Sequence, residues 1–232
     1  MSKIASYKIV IIGESKYQVI LFSFYFLGMV GKTSMSIRFI KGKFQKIELS
    51  NRTINASCYK KNIEIEKTIV DLNIWDTAGE EKYHALAPIF YRGAQGAVII
   101  FDVTNRETFN RATKWFNELS NYAEGKPKIV LVGNKIDLPN REISNEEASK
   151  LATKYNCFFI EASAYTGKNV EEIFHSLATL IYQEEKKAKI GSQNIYSSDI
   201  NGNQAKKKKL TLNIVNNNEV DSVVSKRKGG CC

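Results

Sequence analysis

The sequence predicts an α/β fold, a doubly wound and mostly parallel sheet with helices on both faces. Two observations predict it. Short apolar runs typical of buried strands alternate with segments of helical apolar spacing. Motifs rich in Gly, Asp and Asn follow several of those strands, which is where open α/β sheets place their ligands. The chain has 232 residues, of which 43% are hydrophobic and 25% charged, enough for one sizeable domain and a tail.

Tyr7 to Ile12 reads as a buried strand running into Gly13. Lys32 to Ile40 has helical spacing. Thr68 to Trp75 alternates, with Ile69, Asp71 and Asn73 opposed by Val70, Leu72 and Ile74, as a half-buried strand does. Gly96 to Asp102 is continuously apolar up to its last residue, the mark of a strand covered on both faces. Phe109, Ala112, Phe116 and Leu119 fall at helical intervals. Lys128 to Gly133 is a further buried strand. Ser144 starts a helix, with Glu147 three residues on as in a capping box. Phe158 to Glu161 is a short strand. Asn169 to Gln183 is an amphipathic helix with Val170, Ile173, Phe174, Leu177, Leu180 and Ile181 on one side. From Glu184 onward Asn, Ser and Lys dominate, and that tail is expected to be disordered.

A phosphate-binding loop is written in two pieces. Residues 13–15 read Gly-Glu-Ser and residues 29–34 read Met-Val-Gly-Lys-Thr-Ser. Joined, they give G-x-x-x-x-G-K-T, whose backbone N–H groups cradle phosphates. Lys16 to Gly28, 13 residues (28 − 15), stand between them. Asp76-Thr77-Ala78-Gly79 follows a strand; such an Asp reaches Mg²⁺ and such a Gly meets a γ-phosphate, although alone the string reads as a plain turn. Asn134-Lys135-Ile136-Asp137 follows another. The Asp137 carboxylate suits the two N–H donors that guanine has and adenine lacks, and the bland alternative is a capping Asn beside a surface Asp. Glu161-Ala162-Ser163-Ala164 is too short to argue alone. All four together, in this order and each at a strand end, are not a chance arrangement.

With these motifs the chain resembles the Rab family of small GTPases over about Tyr7 to Gln183, apart from the insertion. The run W-D-T-A-G-E-E-K-Y-H-A-L-A-P-I-F-Y-R-G-A-Q-G-A-V-I-I-F-D-V-T, Trp75 to Thr104, is most similar to the early-endosomal branch. The resemblance implies a six-stranded P-loop small G domain that binds GTP or GDP with Mg²⁺ and hydrolyses GTP. It implies that Gly13, Glu14, Ser15, Met29, Val30, Gly31, Lys32, Thr33 and Ser34 hold phosphate, with Gly79 at the γ-phosphate. Thr33, Thr53 and Asp76 would serve Mg²⁺. Phe44, Asn134, Lys135, Asp137, Ser163 and Ala164 would hold guanine. Catalysis would fall to Lys32, Thr53 and the residue at position 80. Effector recognition would fall to Cys58, Trp75 and Phe90. Neither His84 nor His175 is expected to act chemically, and Cys157 reads as a small buried side chain.

Several positions depart from the family's pattern. Glu80 stands where a glutamine orients the attacking water. A carboxylate there cannot donate to the transition-state oxygens and repels them, so GAP-stimulated hydrolysis is expected to be slower. Cys58 replaces an aromatic. Tyr165 replaces a lysine and is expected to weaken guanine packing. The interval from Phe44 to Thr53 is two residues longer than usual, which implies a looser switch I.

The net charge is +10, and the stretch from Glu184 carries ten Lys/Arg against five Asp/Glu. A basic tail ending in Gly-Gly-Cys-Cys fits two prenyl groups on Cys231 and Cys232, reinforced by attraction to anionic lipid. Nucleic acid is not an expected partner, because no basic patch is interleaved with aromatics. The four cysteines show no disulfide pattern, so a reducing compartment is expected. No secretory leader is expected. The longest apolar run, Val19 to Val30, is 12 residues and too short to span a bilayer. The resemblance implies a monomer on the cytoplasmic face of endosomal or other endomembranes with a cytosolic pool. Its expected partners are exchange factors, GAPs, effectors and a prenyl-protein escort, and its expected task is vesicle traffic. The alternative is a nucleotide-impaired, non-catalytic membrane scaffold.

The insertion itself, Lys-Tyr-Gln-Val-Ile-Leu-Phe-Ser-Phe-Tyr-Phe-Leu-Gly, is unusual at the rim of a polar site. Ser-Lys-Tyr is encodable as AGTAAGTAT, which holds a splice-donor-like string. Phe-Leu-Gly is encodable as a pyrimidine-rich run ending in AG. Excision between them preserves Ser15. The insertion therefore reads as a retained short intron, with a genuine insertion as the alternative. A native peptide from within Tyr17 to Leu27 rules the intron out.

Overall fold

The structure is a computed structural model that describes residues 5–14, 29–45, 56–77 and 87–198, with side chains from Ile89 to Ile190 in the last stretch. The chain divides into two units, Met1–Gly191 and Ser192–Cys232, and the sheet belongs to the first. Six strands form one sheet in the order β2-β3-β1-β4-β5-β6. They are β1 (Ala5–Gly13), β2 (Ser57–Ile65), β3 (Thr68–Asp76), β4 (Gly96–Asp102), β5 (Lys128–Asn134) and β6 (Phe158–Glu161). All pairs are parallel except β2 with β3. Among the described residues the helices are α1 (Lys32–Lys41), α2 (Ala87–Tyr91), α3 (Arg106–Asn110), α4 (Ala112–Tyr122), α5 (Asn145–Lys154) and α6 (Val170–Ser198).

The apolar runs account for the centre of the sheet. Alternate residues of β1 serve opposite faces, as the two-residue period of a strand requires. Ile9 and Ile11 join a core with Met35 and Phe39 of α1 and Val170, Ile173, Phe174 and Leu177 of α6. Val10 and Ile12 join another with Phe109, Ala112, Trp115 and Phe116 of α3 and α4 and Ala148 and Ala152 of α5. Strand β1 lies between β3 and β4, where the order of connection reverses. A ligand site is expected beyond its carboxyl end.

Four parts of the fold differ from the sequence reading. Strand β2 escapes a search for apolar alternation because Lys61 occupies an inward position. Its ammonium lies 3.9 Å from the Phe39 ring centroid and bonds the Phe39 carbonyl and Glu171. The helix expected around Phe109 to Leu119 is two, broken at Arg111, with Asn105 capping α3 by accepting from the Glu107 and Thr108 amides. Helix α6 continues past Gln183 to Ser198. Its apolar stripe ends at Ile181, but Lys186 pairs with Glu66 at 2.7 Å and Tyr7 donates to Glu185 at 3.3 Å. The short α2 was not anticipated either. Ser144 does cap α5 by accepting from the Glu147 amide at 3.2 Å, yet the Glu147 side chain turns to Arg106 instead of closing the box. Cys157 is part-buried, not fully enclosed, and burial pushes its thiol up to about 11.

Candidate functional site

The two halves of the phosphate loop meet. The Val30 amide donates to the Glu14 carbonyl at 3.3 Å, although fifteen residues separate the two in the chain. Gly13 is required by the close approach of β4. A Cβ there would lie 2.4 Å from the Ile100 carbonyl oxygen and 2.8 Å from Val30 Cγ2. Gly31 is required twice over, by a φ of +94° and by the Asn134 amide nitrogen 2.5 Å from where its Cβ would be. Gly31 also caps α1 without a side chain, so the helix presents its N-terminus as a place for an anion. Lys32 follows directly. Its side chain is buried, and Nζ donates to the Gly13 carbonyl at 2.9 Å. Desolvation lowers its pKa to about 8 against the opposing pull of Asp76 and Glu14.

Asn134, at the end of β5, ties this loop to the next. Its Nδ2 donates to the Val30 carbonyl at 2.8 Å, and its Oδ1 accepts from the Ala164 amide at 3.0 Å. Lys135 adopts a left-handed φ of 69° and pairs with Asp102 at the end of β4. Asp102 is held in turn by the Thr104 amide and hydroxyl at 2.9 and 2.7 Å. Asp137 accepts from the Ser163 hydroxyl, which also accepts from the Thr166 amide at 3.0 Å. Arg38, on α1, donates to the carbonyls of Ala164 and Tyr165 and so carries the 163–165 loop on the phosphate-loop helix.

These groups line a cavity of about 260 Å³ that includes Met29, Gly31, Ser34, Asn134, Lys135 and Asp137. Phe44 and Tyr165 stand at its mouth in an edge-to-face contact with ring centroids 5.1 Å apart. Tyr165 therefore supports the Phe44 ring, an interaction worth about 0.5–1.5 kcal/mol beyond area burial. Asp137 offers a carboxylate acceptor, fixed by Ser163, at a wall opposite apolar faces. That set of groups suits a planar base with adjacent N–H donors.

Asp76 closes the phosphate side. It is fully buried, and among the described residues neither carboxylate oxygen meets a donor in hydrogen-bonding geometry. Burial lifts its pKa to about 6, while the Thr33 hydroxyl and the Lys32 ammonium act to lower it. An orphaned buried carboxylate beside a threonine hydroxyl fits Mg²⁺, a cation that takes one or two protein oxygens and completes its shell with phosphate and water. No cluster of three His, Cys, Asp or Glu exists among the described residues, so a cage made wholly of such side chains is not formed there. Between about pH 4 and 6 the folded chain holds a proton on Asp76 that the unfolded chain has released. Stability from this group therefore falls as pH rises through that window and stays low above it. Asp76→Asn is expected to make the nucleotide-free chain about 2–3 kcal/mol more stable at pH 7. Denaturant unfolding at pH 4 and pH 7 measures this, and a variant less stable than wild type at pH 7 contradicts it.

Cys58 and Trp75 are register partners across β2 and β3, and Trp75 lies 6.1 Å from Phe90 between ring centroids. The three thus share one face of the unit. Ser15, Thr53, Gly79, Glu80, His84, the insertion Lys16–Gly28 and the terminal Cys231 and Cys232 lie outside the described residues. His175 is exposed, with Nε2 3.3 Å from the Glu64 carbonyl and no part in the site. Sequence reading missed Arg38, Asp102 and Arg111, which hold the loops and are distant in the chain from what they hold; only Asp102, at the end of a predicted strand, carried a positional signal. The family model described as Ras family matches residues 26–183, more than half of the chain. The match begins inside the insertion, so β1 and Gly13-Glu14-Ser15 fall outside it, although β1 pairs with β3 and β4 at the centre of the sheet.

Proposed function

This chain belongs to the Ras family, and from that membership we propose that it is a guanine-nucleotide switch that binds and hydrolyses GTP. The observation that carries the reading is the junction at Asn134. One side chain joins the phosphate loop at Val30 to the base loop at Ala164, so a nucleotide bridging the two is held by a single hydrogen-bonded frame. Asp137 reads the base by accepting its two N–H groups. Lys32 turns its ammonium from the Gly13 carbonyl to the phosphates. Thr33 and Asp76 are the residues that would hold Mg²⁺, which when bound neutralises charge on the β- and γ-phosphates. Thr53 and Gly79 would sense the γ-phosphate, so that GTP orders both switch segments and hydrolysis releases them. Glu80 slows the reaction relative to a glutamine, and Glu80→Gln is expected to raise GAP-stimulated single-turnover hydrolysis; an unchanged rate refutes that role.

The similarity of Trp75 to Thr104 to the early-endosomal Rab branch supports membership of that branch and a task in vesicle traffic. Effectors would dock on the face carrying Cys58, Trp75 and Phe90. The basic tail and Cys231-Cys232 support attachment to endomembranes by two prenyl groups, with exchange factors, GAPs and an escort as partners.

Equilibrium binding of fluorescent GTP, GDP and ATP to the full-length chain tests the nucleotide reading. GTP and GDP are expected to bind at least about a thousandfold more tightly than ATP, because adenine leaves the Asp137 acceptor unpaired once the base covers it. Binding of ATP as tightly as GTP overturns the assignment of the base. One observation favours a second reading, a nucleotide-impaired scaffold: the 13 residues between Ser15 and Met29. Binding in a variant lacking them, with none in the full chain, is the result that supports it.

A further inference from the structure

We infer that Arg111 is a positioning residue that holds the first half of the phosphate loop against the second, in place of the short chain connection that Lys16–Gly28 lengthens. The inference rests on the phosphate site proposed above. Arg111 is the single residue between α3 and α4. Its Nη1 donates to Glu14 Oε2 at 2.8 Å, and its Nη2 donates to Glu107. The Glu14 side chain is only 5% exposed, so an unpaired carboxylate there would be costly, and the guanidinium meets that need. Glu107 lies four residues before Arg111 and fixes its fork from within α3.

The second half of the loop is anchored without help from the first. Val30 is buried in the core beside α1, its carbonyl is bonded by Asn134, and Gly31 and Lys32 open α1. Glu14 is in a different position. It is the last described residue after β1, and fourteen residues separate it from Met29. In an uninterrupted loop Glu14, Ser15, Met29 and Val30 would be consecutive, and the Val30-to-Glu14 bond would be the closing bond of a four-residue turn. Here thirteen further residues stand between Ser15 and Met29, so the turn has no short covalent closure. The Arg111 fork attaches Glu14 to a helix pair that is itself packed on the sheet through Phe109, Ala112 and Phe116. Arg111 also cancels a carboxylate one residue from the phosphate cradle, where a bare negative charge would oppose the ligand.

Hydrogen exchange at the Val30 amide of the nucleotide-free, full-length chain reads the clamp directly, and GDP dissociation reads its effect. Arg111→Ala is expected to speed both by about tenfold or more, the scale of a charged hydrogen bond. Amides of β5 should exchange as in wild type. In a chain lacking residues 16–28, Arg111→Ala should change both readings by less than about threefold, because covalent closure then holds the turn. Unchanged Val30 exchange in Arg111→Ala overturns the inference, and so does an equal loss with and without the insertion. If the wild-type chain does not bind GDP, the proposed function fails while Val30 exchange still decides the clamp. Should Arg111→Ala not fold, Arg111→Lys, which keeps the charge without the fork, is read by the same criteria.

Discussion

Lys32→Met is expected to weaken GDP and GTP binding by about two to three orders of magnitude while leaving the nucleotide-free chain at least as stable as wild type at pH 7. The two effects have one cause. The Lys32 ammonium is held in a dry position with the Gly13 carbonyl as its hydrogen-bond acceptor, and desolvation lowers its pKa from 10.5 to about 8. Keeping that charge in the folded state costs on the order of 3 kcal/mol at neutral pH, where the group is protonated in both states. The unfolded chain binds the extra proton between about pH 8 and 10.5, so stability from this group rises as pH rises through that window. Methionine fills the space without the charge and removes the cost, offset in part by the unpaired Gly13 carbonyl. The ligand has the opposite interest. A phosphate adds countercharge to that of Asp76 and Glu14, and two or more charged hydrogen bonds at roughly 1.5–3 kcal/mol each are lost with the ammonium. Titration calorimetry gives the affinity, and urea unfolding of the nucleotide-free chain gives the stability. A variant that binds GDP like wild type, or that is markedly less stable without it, contradicts the argument.

The legible parts of this molecule were those in which neighbouring residues carry the signal. Tyr7 to Ile12, Gly96 to Asp102 and Lys128 to Gly133 announce buried strands because both faces of each are apolar, and the structure pairs them side by side. Gly13, Asp76, Asn134 and Ser163 could be singled out because each lies at or just beyond a strand end within a short fixed motif. What escaped is what depends on the distant chain. Lys61 breaks the alternation of β2 only because the Phe39 ring accepts its ammonium from another element. The separations of 126 positions from Arg38 to Ala164, and of 97 from Glu14 to Arg111, leave no spacing to read. The break at Arg111 is hidden because Phe109, Ala112 and Phe116 keep a helical period across it, and all three are buried in one core. Helix α6 outruns its apolar stripe because ion pairs such as that of Glu66 with Lys186, and not burial, continue it.

Deleting Lys16–Gly28 is expected to tighten GDP binding by about 100-fold or more and to raise thermal stability. The described ends already stand as a closed turn. Val30 donates to Glu14 at 3.3 Å, Gly13 packs on Val30, and Lys32 reaches back to Gly13 at 2.9 Å. Joining Ser15 to Met29 asks none of these residues to move. Lengthening a loop from 4 to 17 residues costs about 1.3 kcal/mol of closure entropy, and deletion recovers it in the free and the bound chain alike. That share appears as stability. The share that appears as affinity comes from the cradle. Ser15 and Met29 flank the insertion, and their amides belong to the run of N–H groups that faces phosphate in a complete loop. Two charged hydrogen bonds restored at roughly 1.5 kcal/mol each give about 3 kcal/mol, or more than 100-fold. The insertion also brings five aromatic residues, Tyr17, Phe22, Phe24, Tyr25 and Phe26, that the joined motif does not contain. Stopped-flow displacement of fluorescent GDP from the two chains, with melting curves taken without nucleotide, separates the two shares. Equal affinity in both chains means that the loop tolerates the insertion and that the switch works as written. A gain in melting temperature without a gain in affinity means that closure matters to the fold alone, and that Ser15 and Met29 contribute no amide to the ligand.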